Sequence, residues 1–420
     1  MDGSERIKSL KKFSCSNSDS KSHDHDHDHD HDHDHDHAKK NMNQSSYCTE
    51  SCNVVSEPLL PQDLIFDILT FVSANCLINS ARYVCKTWAA IITSFGYSKA
   101  HERRARSKYG LYIESFMSEF GSYSLEFIDD LDGEFERTEL RIPRRMGKIL
   151  CSCDGILLLS HHCFRHVFVV NPILKCWLRI PPFPISRQLT DATCQCAIAH
   201  VPRTSKFKLF LVDLLKISGV VRYVFYVLRI GIDNSWKEIA RREPPPGWVS
   251  YLEPIYSGGN NLYWRTIDEI IVMDVDREII VREYPLPPDS LLGDWLPKYL
   301  WTGNRLSCIS PQGKCFSTLY KVFILDFDSG EWFLYHEIGP FDYVAAYGHE
   351  LHVLFEIFRF WINDQIIFEA NPEENSPDRQ ENFYFGYNVK TRKLTKIEGI
   401  DDGNFKVWLH SSSLVSLPYS

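Results

Sequence analysis

Residues 60–101 read LPQDLIFDILTFVSANCLINSARYVCKTWAAIITSFGYSKAH, and this stretch decides how the rest of the chain is read. Pro61 stands where a helix can begin, because its missing N–H would have no intrahelical partner in the first turn. Leu64, Ile65, Ile68, Leu69 and Val72 then recur at helical spacing and make one apolar face. A second helical pattern sets Val84, Trp88 and Ile91 at i, i+4 and i+7, beside Cys85 and Ile92. Two or three helices of this length cannot enclose a core, so their apolar faces need a partner.

Leu60-Pro61, the spaced Leu64, Ile68 and Leu69, and Val84-Cys85-Lys86-Thr87-Trp88 resemble the F-box, the module that docks substrate receptors on the Skp-type adaptor of cullin-RING ubiquitin ligases. The resemblance implies an F-box over 57–104. It implies an adaptor-binding face made of Leu60, Pro61, Leu64, Ile68, Leu69, Val84, Cys85, Trp88 and Ile91. Phe71-Val72-Ser73 stands where many relatives have Leu-Pro, a departure that bears on the turn and not on the docking face. The plainer alternative is a small helical bundle packed on its own chain.

The 420 residues allow two or three domains, and 44% hydrophobic with 24% charged residues is ordinary for a globular protein. The formal charge is -9, of which the seven Asp between 24 and 36 supply seven, so the remainder carries about -2 and nucleic-acid binding through a basic face is not favoured. No apolar run reaches the roughly 18 residues a membrane helix needs, and the N-terminus is polar. These features lead us to expect no membrane partner and an intracellular location, in cytoplasm or nucleus. Thirteen scattered Cys are expected to be free, mostly buried thiols.

Residues 1–56 lack apolar periodicity and carry a strict His-Asp alternation, so they read as a disordered low-complexity tail. In an extended chain the period of two puts His23, His25, His27, His29, His31, His33, His35 and His37 on one side and the Asp on the other. Such imidazoles would offer a weak multivalent site to Zn²⁺, Ni²⁺ or Cu²⁺, released as the His protonate below about pH 6.5. The plainer reading is a low-complexity expansion, with no resident metal or cofactor.

After a basic helical connector, HERRARSK at 101–108, taken to run through 105–121, short β-branched and aromatic runs alternate with Gly, Pro, Asn and Asp. An all-β domain is expected over 122–418. One recurring cue is a turn followed by an inner strand, as at Gly155, Gly259, Gly303, Gly348 and Gly403, with steps of 44 and 45 residues between 259, 303 and 348. The other is an outer hairpin whose first strand ends at Asp or Asn, as in 169–182, 231–239, 272–287, 324–340 and 387–397. Intervals of this size with about four strands each are the period of propeller blades. The spacing predicts six blades, with seven as the alternative. An outer-type hairpin at 122–143 and an inner-type hairpin at 405–417 would complete the last blade from both ends.

SCDGILLL at 152–159, VVNP at 169–172, SWKEI at 235–239 and GGNNLYW at 258–264 resemble, in order, the F-box-associated, kelch-related domain of plant F-box proteins. The resemblance implies a small all-α F-box followed by an all-β propeller. Trp177, Trp236, Trp264 and Trp332 are expected to pack between blades.

Sequence-local signatures of catalysis are missing: there is no Gly-rich phosphate loop, His-Glu-x-x-His helix or Gly-x-Ser-x-Gly elbow. Cys151, Cys153, His161, His162, Cys163, His166 and Cys176 have zinc-ligand types but lack the Cys-x-x-Cys knuckle, and Cys194 and Cys196 share that defect, so core thiols are the expectation. Trp248, Trp295 and Trp361 fall in stretches read as inter-blade loops and are the candidate target-binding anchors. The acidic segment 369–381 reads as a solvated loop. Together these readings imply a non-catalytic substrate receptor of a Skp-cullin-F-box ligase, acting by proximity on an unidentified target protein. The rivals are a ligase-independent scaffold and a metal-dependent propeller enzyme.

Overall fold

The computed structural model describes residues 60–105, 110–117, 122–128, 137–139, 146–160, 166–184, 195–204, 206–217, 220–243, 253–256, 258–288, 297–312, 319–348, 351, 353–372, 383–397, 405–410, 413–415 and 417. The His-Asp tract, Trp248, Trp295, His161, His162, Cys163 and Cys194 lie outside the described residues.

Four helices come first: α1 (Gln62–Leu69), α2 (Ala74–Asn79), α3 (Lys86–Thr93) and α4 (Phe95–Ala105), with a 3₁₀ turn Ala81–Tyr83 before α3. Pro61 is the N-cap of α1, and its carbonyl accepts the Ile65 N–H at 3.1 Å. Ser73 Oγ and Cys85 Sγ accept from the N–H groups of Cys76 and Trp88, so each caps the helix that follows. Phe71-Val72-Ser73 makes a tight turn, because the Phe71 and Val72 N–H groups reach back to the Ile68 and Leu69 carbonyls. Helix α4 then fastens the end of α1: the Tyr97 hydroxyl donates to the Leu69 carbonyl at 2.7 Å and Arg104 donates to Thr70 Oγ1 at 3.0 Å.

The helices bury one face against their own chain. Leu69, Leu77, Ile91, Ile92 and Tyr97 share an apolar cluster with Tyr112, Ile149, Leu157 and Leu414 of the β region. At about 1.5–3 kcal/mol per large apolar side chain buried, this contact is enough to hold the helices on the β region.

Five sheets are each made of four consecutive antiparallel strands. They are β4 (Lys148–Cys153) to β7 (Cys176–Ile180) through β5 (Ile156–Ser160) and β6 (Val167–Asn171), and β8 (Cys196–Val201) to β11 (Lys237–Arg242) through β9 (Lys206–Ile217) and β10 (Val220–Arg229). Next come β12 (Glu253–Tyr256), β13 (Asn261–Arg265), β14 (Glu269–Asp274) and β15 (Ile279–Pro285), then β16 (Lys298–Thr302), β17 (Arg305–Gln312), β18 (Leu319–Leu325) and β19 (Trp332–Ile338). The fifth holds β20 (Val353–Ile362), β21 (Gln365–Pro372), β22 (Phe383–Asn388) and β23 (Lys393–Lys396). A further four-stranded sheet joins both ends of the region, in the order β24 (Phe405–His410), β1 (Gly110–Met117), β2 (Ser122–Ile128), β3 (Arg137–Glu139).

The first strands of successive sheets stand side by side, from β24 through β4, β8, β12 and β16 to β20. Between each pair of neighbouring sheets lies an apolar layer. The last of these, Leu111, Ile113 and Val407 against Tyr384 and Phe360, brings the end-joining sheet against the β20–β23 sheet and closes a propeller.

Two sequence expectations are corrected here. The connector expected to be helical over 105–121 stops at Ala105, and Gly110–Met117 is β1. Its neighbours bury both faces, Tyr112 on one side and Leu111 with Ile113 on the other, so no polar alternation marks it as a strand. Ring closure is also different from the expected pairing of two hairpins. The C-terminal side contributes one strand, running from Ser115 opposite Phe405 to Gly110 opposite His410, and the N-terminal side contributes three. Residues Ser413 to Val415 instead cross a neighbouring sheet, where Asn171 Nδ2 donates to the Ser413 and Val415 carbonyls at 3.0 and 2.9 Å.

The outer hairpins share one turn chemistry. Asn171, Asp274 and Asn388 end a third strand, and each side-chain oxygen accepts the N–H three residues on. The residue after that, Lys175, Glu278 or Arg392, has positive φ, which returns the chain into the fourth strand. Trp236 and Trp332 then donate from the indole to the carbonyls of Pro181 and Pro285 in the preceding sheet, and Trp264 is fully buried. Trp177 departs from its expected packing role: it is an exposed edge-strand residue resting on Phe168. The acidic segment 369–381 is likewise no loop at its start, since Glu369 is buried in β21 and receives the Arg359 guanidinium at 2.6 Å.

Candidate functional site

Two surfaces of the described chain offer themselves to partners. The first is the outward face of the helices. Leu60, Leu64 and Ile68 are 53%, 45% and 46% exposed, one turn apart along α1, and Tyr83 and Val84 are exposed ahead of α3. Phe71 also stands in solvent, with the Arg104 guanidinium over its ring. Large apolar side chains grouped in this way mark an interaction surface.

The nine residues expected to bind the adaptor therefore separate into two sets. Leu60, Pro61, Leu64, Ile68, Val84 and Cys85 are exposed, whereas Leu69 and Ile91 are buried in the cluster shared with the β region and Trp88 is half-buried against it. Helical spacing grouped the nine without regard to direction. Leu69 follows Ile68 by about 100° around the helix, which is enough to turn it from solvent into the intramolecular core.

The second surface is a cavity of about 710 Å³ at one end of the ring. Turns joining first to second strands converge on it, contributing Asp154, Gly258, Gly303, Asn304, Asn363 and Asp364. Several of these turns are as short as a hairpin permits. Asp154 and Gly155 both have positive φ between Cys153 and its partner Ile156, the backbone that a two-residue turn between twisted strands requires. The helices enter at this same end: Leu409 lines the cavity, His410 is the register partner of Gly110, and Ala105 lies within about 18 Å of chain from Gly110.

Trp361 is the one candidate target anchor among the described residues. It lies in β20, opposite Ile366, and not in a loop, and it is only 7% exposed, with its ring on the cavity wall beside Tyr335. Its indole donates to the Asn363 carbonyl at 3.0 Å, and Trp301 in the neighbouring sheet donates to the Gly303 carbonyl at 2.7 Å. Sequence reading overlooked Trp301, although WTGNR at 301–305 and WINDQ at 361–365 carry the same Trp-x-turn pattern. Asp154 is turned into the wall, where its carboxylate lies 3.1 Å from His200 Nδ1, and Asp364 pairs with Lys390 at 2.7 Å.

Among the described residues there is no group of three or more His, Cys, Asp or Glu arranged to hold a metal ion. Cys153 and Cys196 are buried in one apolar cluster, and Cys151 and Cys176 pack against it. All seven described cysteines are free thiols. No described helix is long and apolar enough to cross a membrane.

Comparison with known proteins agrees with the helical region. Residues 58–98 match the F-box domain. No curated protein matches the chain. Solved structures similar to it include a chain of a nidogen/laminin complex (10% identity, 73% of this chain and 99% of that one, TM-score 0.42). Others are the β-propeller domain of the Trilobed protease from Pyrococcus furiosus (10%, 58% and 67%, 0.32) and hydrazine synthase from Kuenenia stuttgartiensis (15%, 58% and 63%, 0.32). This chain thus spans less than two thirds of that hydrazine synthase chain, and none of the three likenesses, all below a TM-score of 0.5, carries an argument about function. Residues 58–98 thus carry an F-box domain, and the β region that follows is propeller-like.

Proposed function

We propose that this protein is the substrate receptor of a Skp-cullin-F-box ubiquitin ligase, docking a Skp-type adaptor through its helices and a target protein through the propeller. The observation that carries the reading is the split of α1: Leu69 is buried against the β region while Leu64 and Ile68 remain in solvent within a matched F-box domain. A face left apolar by a chain that has already buried the opposite one is a face reserved for another protein.

Because cavity and helices share one end of the ring, a target held at the cavity would sit beside the docked adaptor. Catalysis would then be positional: a target lysine is held near a ubiquitin thioester carried by the cullin assembly, and this chain supplies no acid, base or nucleophile. The same reading places the protein inside the cell, in cytoplasm or nucleus. It takes the β region as a six-bladed, kelch-related domain of the plant F-box type, supported by Gly258-Gly259 ahead of the buried Tyr263-Trp264 pair.

Co-purification with a Skp-type adaptor and its cullin tests the proposal. Capture of both by the wild type, and of neither by a chain with Leu60, Leu64 and Ile68 replaced by Ala, is the expected result. A folded chain that captures targets but never the adaptor would instead be a ligase-independent scaffold.

A further inference from the structure

The cavity has a chemical preference that its ion pairs reveal. Its two carboxylates are engaged, Asp154 with His200 and Asp364 with Lys390. Arg305, at the start of β17, also lines the cavity, is exposed, and makes no ion pair or hydrogen bond among the described residues. The side-chain amides of Asn304 and Asn363 are open in the same sense. Both tryptophan N–H groups are spent on their own turns, so Trp301 and Trp361 offer ring faces and not donors.

We propose that the wall formed by the 301–305 and 361–365 hairpins binds a carboxylate side chain, Glu or Asp, of a peptide segment in the target, with flanking apolar residues against the two indoles. The proposal rests on the receptor reading above for its biological ligand, but its chemistry stands on the cavity alone. A guanidinium fork matches a carboxylate in two parallel hydrogen bonds, and an adjacent open amide supplies a further donor. A cationic peptide is disfavoured by the same wall, because Asp364 already faces the Lys390 ammonium and the Asp154 carboxylate is turned into the wall against His200.

The test uses the full chain and immobilised, N-acetylated and C-amidated peptide pools, X-X-X-Glu-X-X-X, with Gln, Lys or phosphoserine at the fixed position. Retention of the Glu pool at least tenfold above the Gln and Lys pools, lost at least tenfold in Arg305→Glu and reduced severalfold in Asn363→Ala, is the expected result. Arg305 is an exposed residue at the start of a strand and Asn363 lies in a turn, and an unchanged unfolding midpoint checks that the variants fold. Equal retention of the Glu, Gln and Lys pools, no retention of any pool, or Glu retention that survives Arg305→Glu would overturn the proposal. Retention of the phosphoserine pool without the Glu pool would overturn the carboxylate assignment. Adaptor capture, measured on the same preparations, reports separately on the receptor reading: it fails without affecting peptide retention if only that reading is wrong.

Discussion

The indole N–H of Trp408 donates to the carboxylate of Glu114 at 3.2 Å, joining residues 294 positions apart. Trp408 belongs to β24 and Glu114 to β1, so this contact ties the two ends of the propeller. The same carboxylate accepts the Ile149 N–H of β4 at 2.6 Å, so one side chain holds three strands from two sheets. Glu114 is 2% exposed, and burial pushes its carboxyl from 4.5 up to about 7 against the opposing pull of the Ile149 and Trp408 hydrogen bonds and of Lys406 and Lys148.

That shift makes ring closure sensitive to pH. A carboxyl with a folded pKa above its unfolded one favours folding when protonated, so its contribution is fully present below about 4.5 and is lost as pH rises through about 7. The cost of ionising it in the fold is on the order of 3 kcal/mol. The unfolding midpoint of the wild type is expected to fall between pH 5 and 8 more steeply than that of Glu114→Gln, which cannot titrate. At pH 5 the Gln variant should itself be less stable by about 1–3 kcal/mol, because its amide nitrogen cannot accept one of the two N–H groups of Ile149 and Trp408, and this deficit should shrink as pH rises through about 7. Parallel pH profiles for the two proteins would remove Glu114 from the account.

Replacing the exposed residues of α1 should separate docking from folding. Leu60→Ala, Leu64→Ala and Ile68→Ala together are expected to shift stability by no more than about 0.5 kcal/mol each while abolishing adaptor capture. Leu69→Ala is the opposite case. It opens a cavity in the shared cluster and should cost about 2–5 kcal/mol in urea unfolding. A triple variant that unfolds, or one that still captures adaptor, would show that this face is not the docking surface.

The C-terminal segment is expected to stabilise helices and propeller together. Leu414 packs in the cluster with Leu69 and Ile91, and Ser98 Oγ on α4 donates to its carbonyl. Sequence reading alone would leave the helices nearly indifferent to loss of this segment. The contacts predict instead that Leu414→Ala costs about 2–5 kcal/mol and raises protease cleavage within 60–105 as well as in the β region. Limited proteolysis followed by mass mapping checks this, and cleavage confined to the β strands would contradict it.

Turn chemistry gives a smaller and local effect. Asp274→Ala removes the acceptor of the Arg277 N–H at 2.7 Å in the β14–β15 turn. A loss of about 1 kcal/mol in chemical unfolding is expected, with adaptor capture unchanged.

Local patterns were legible wherever one residue spacing or turn decided the structure. Leu64, Ile68 and Trp88 at helical intervals announced the F-box helices, and the Asn171, Asp274 and Asn388 that end β6, β14 and β22 announced outer hairpins, because both signals are carried within a few residues. Direction and partnership were not. Whether Leu69 faces adaptor or propeller depends on Tyr112 and Leu414, and whether 110–117 is helix or strand depends on β24, nearly three hundred residues away. The candidate cavity shows the same division. Trp361 was visible as an aromatic, but Trp301, Arg305 and Asn363 meet only because two sheets stand side by side around a closed ring. The sequence by itself determined the modules, the helical and strand-forming segments outside 110–117, and the turn residues of the outer hairpins. Only the tertiary structure decided which apolar face is spent inside the chain and which charge remains open, since burial and ion pairing are settled by neighbours in space.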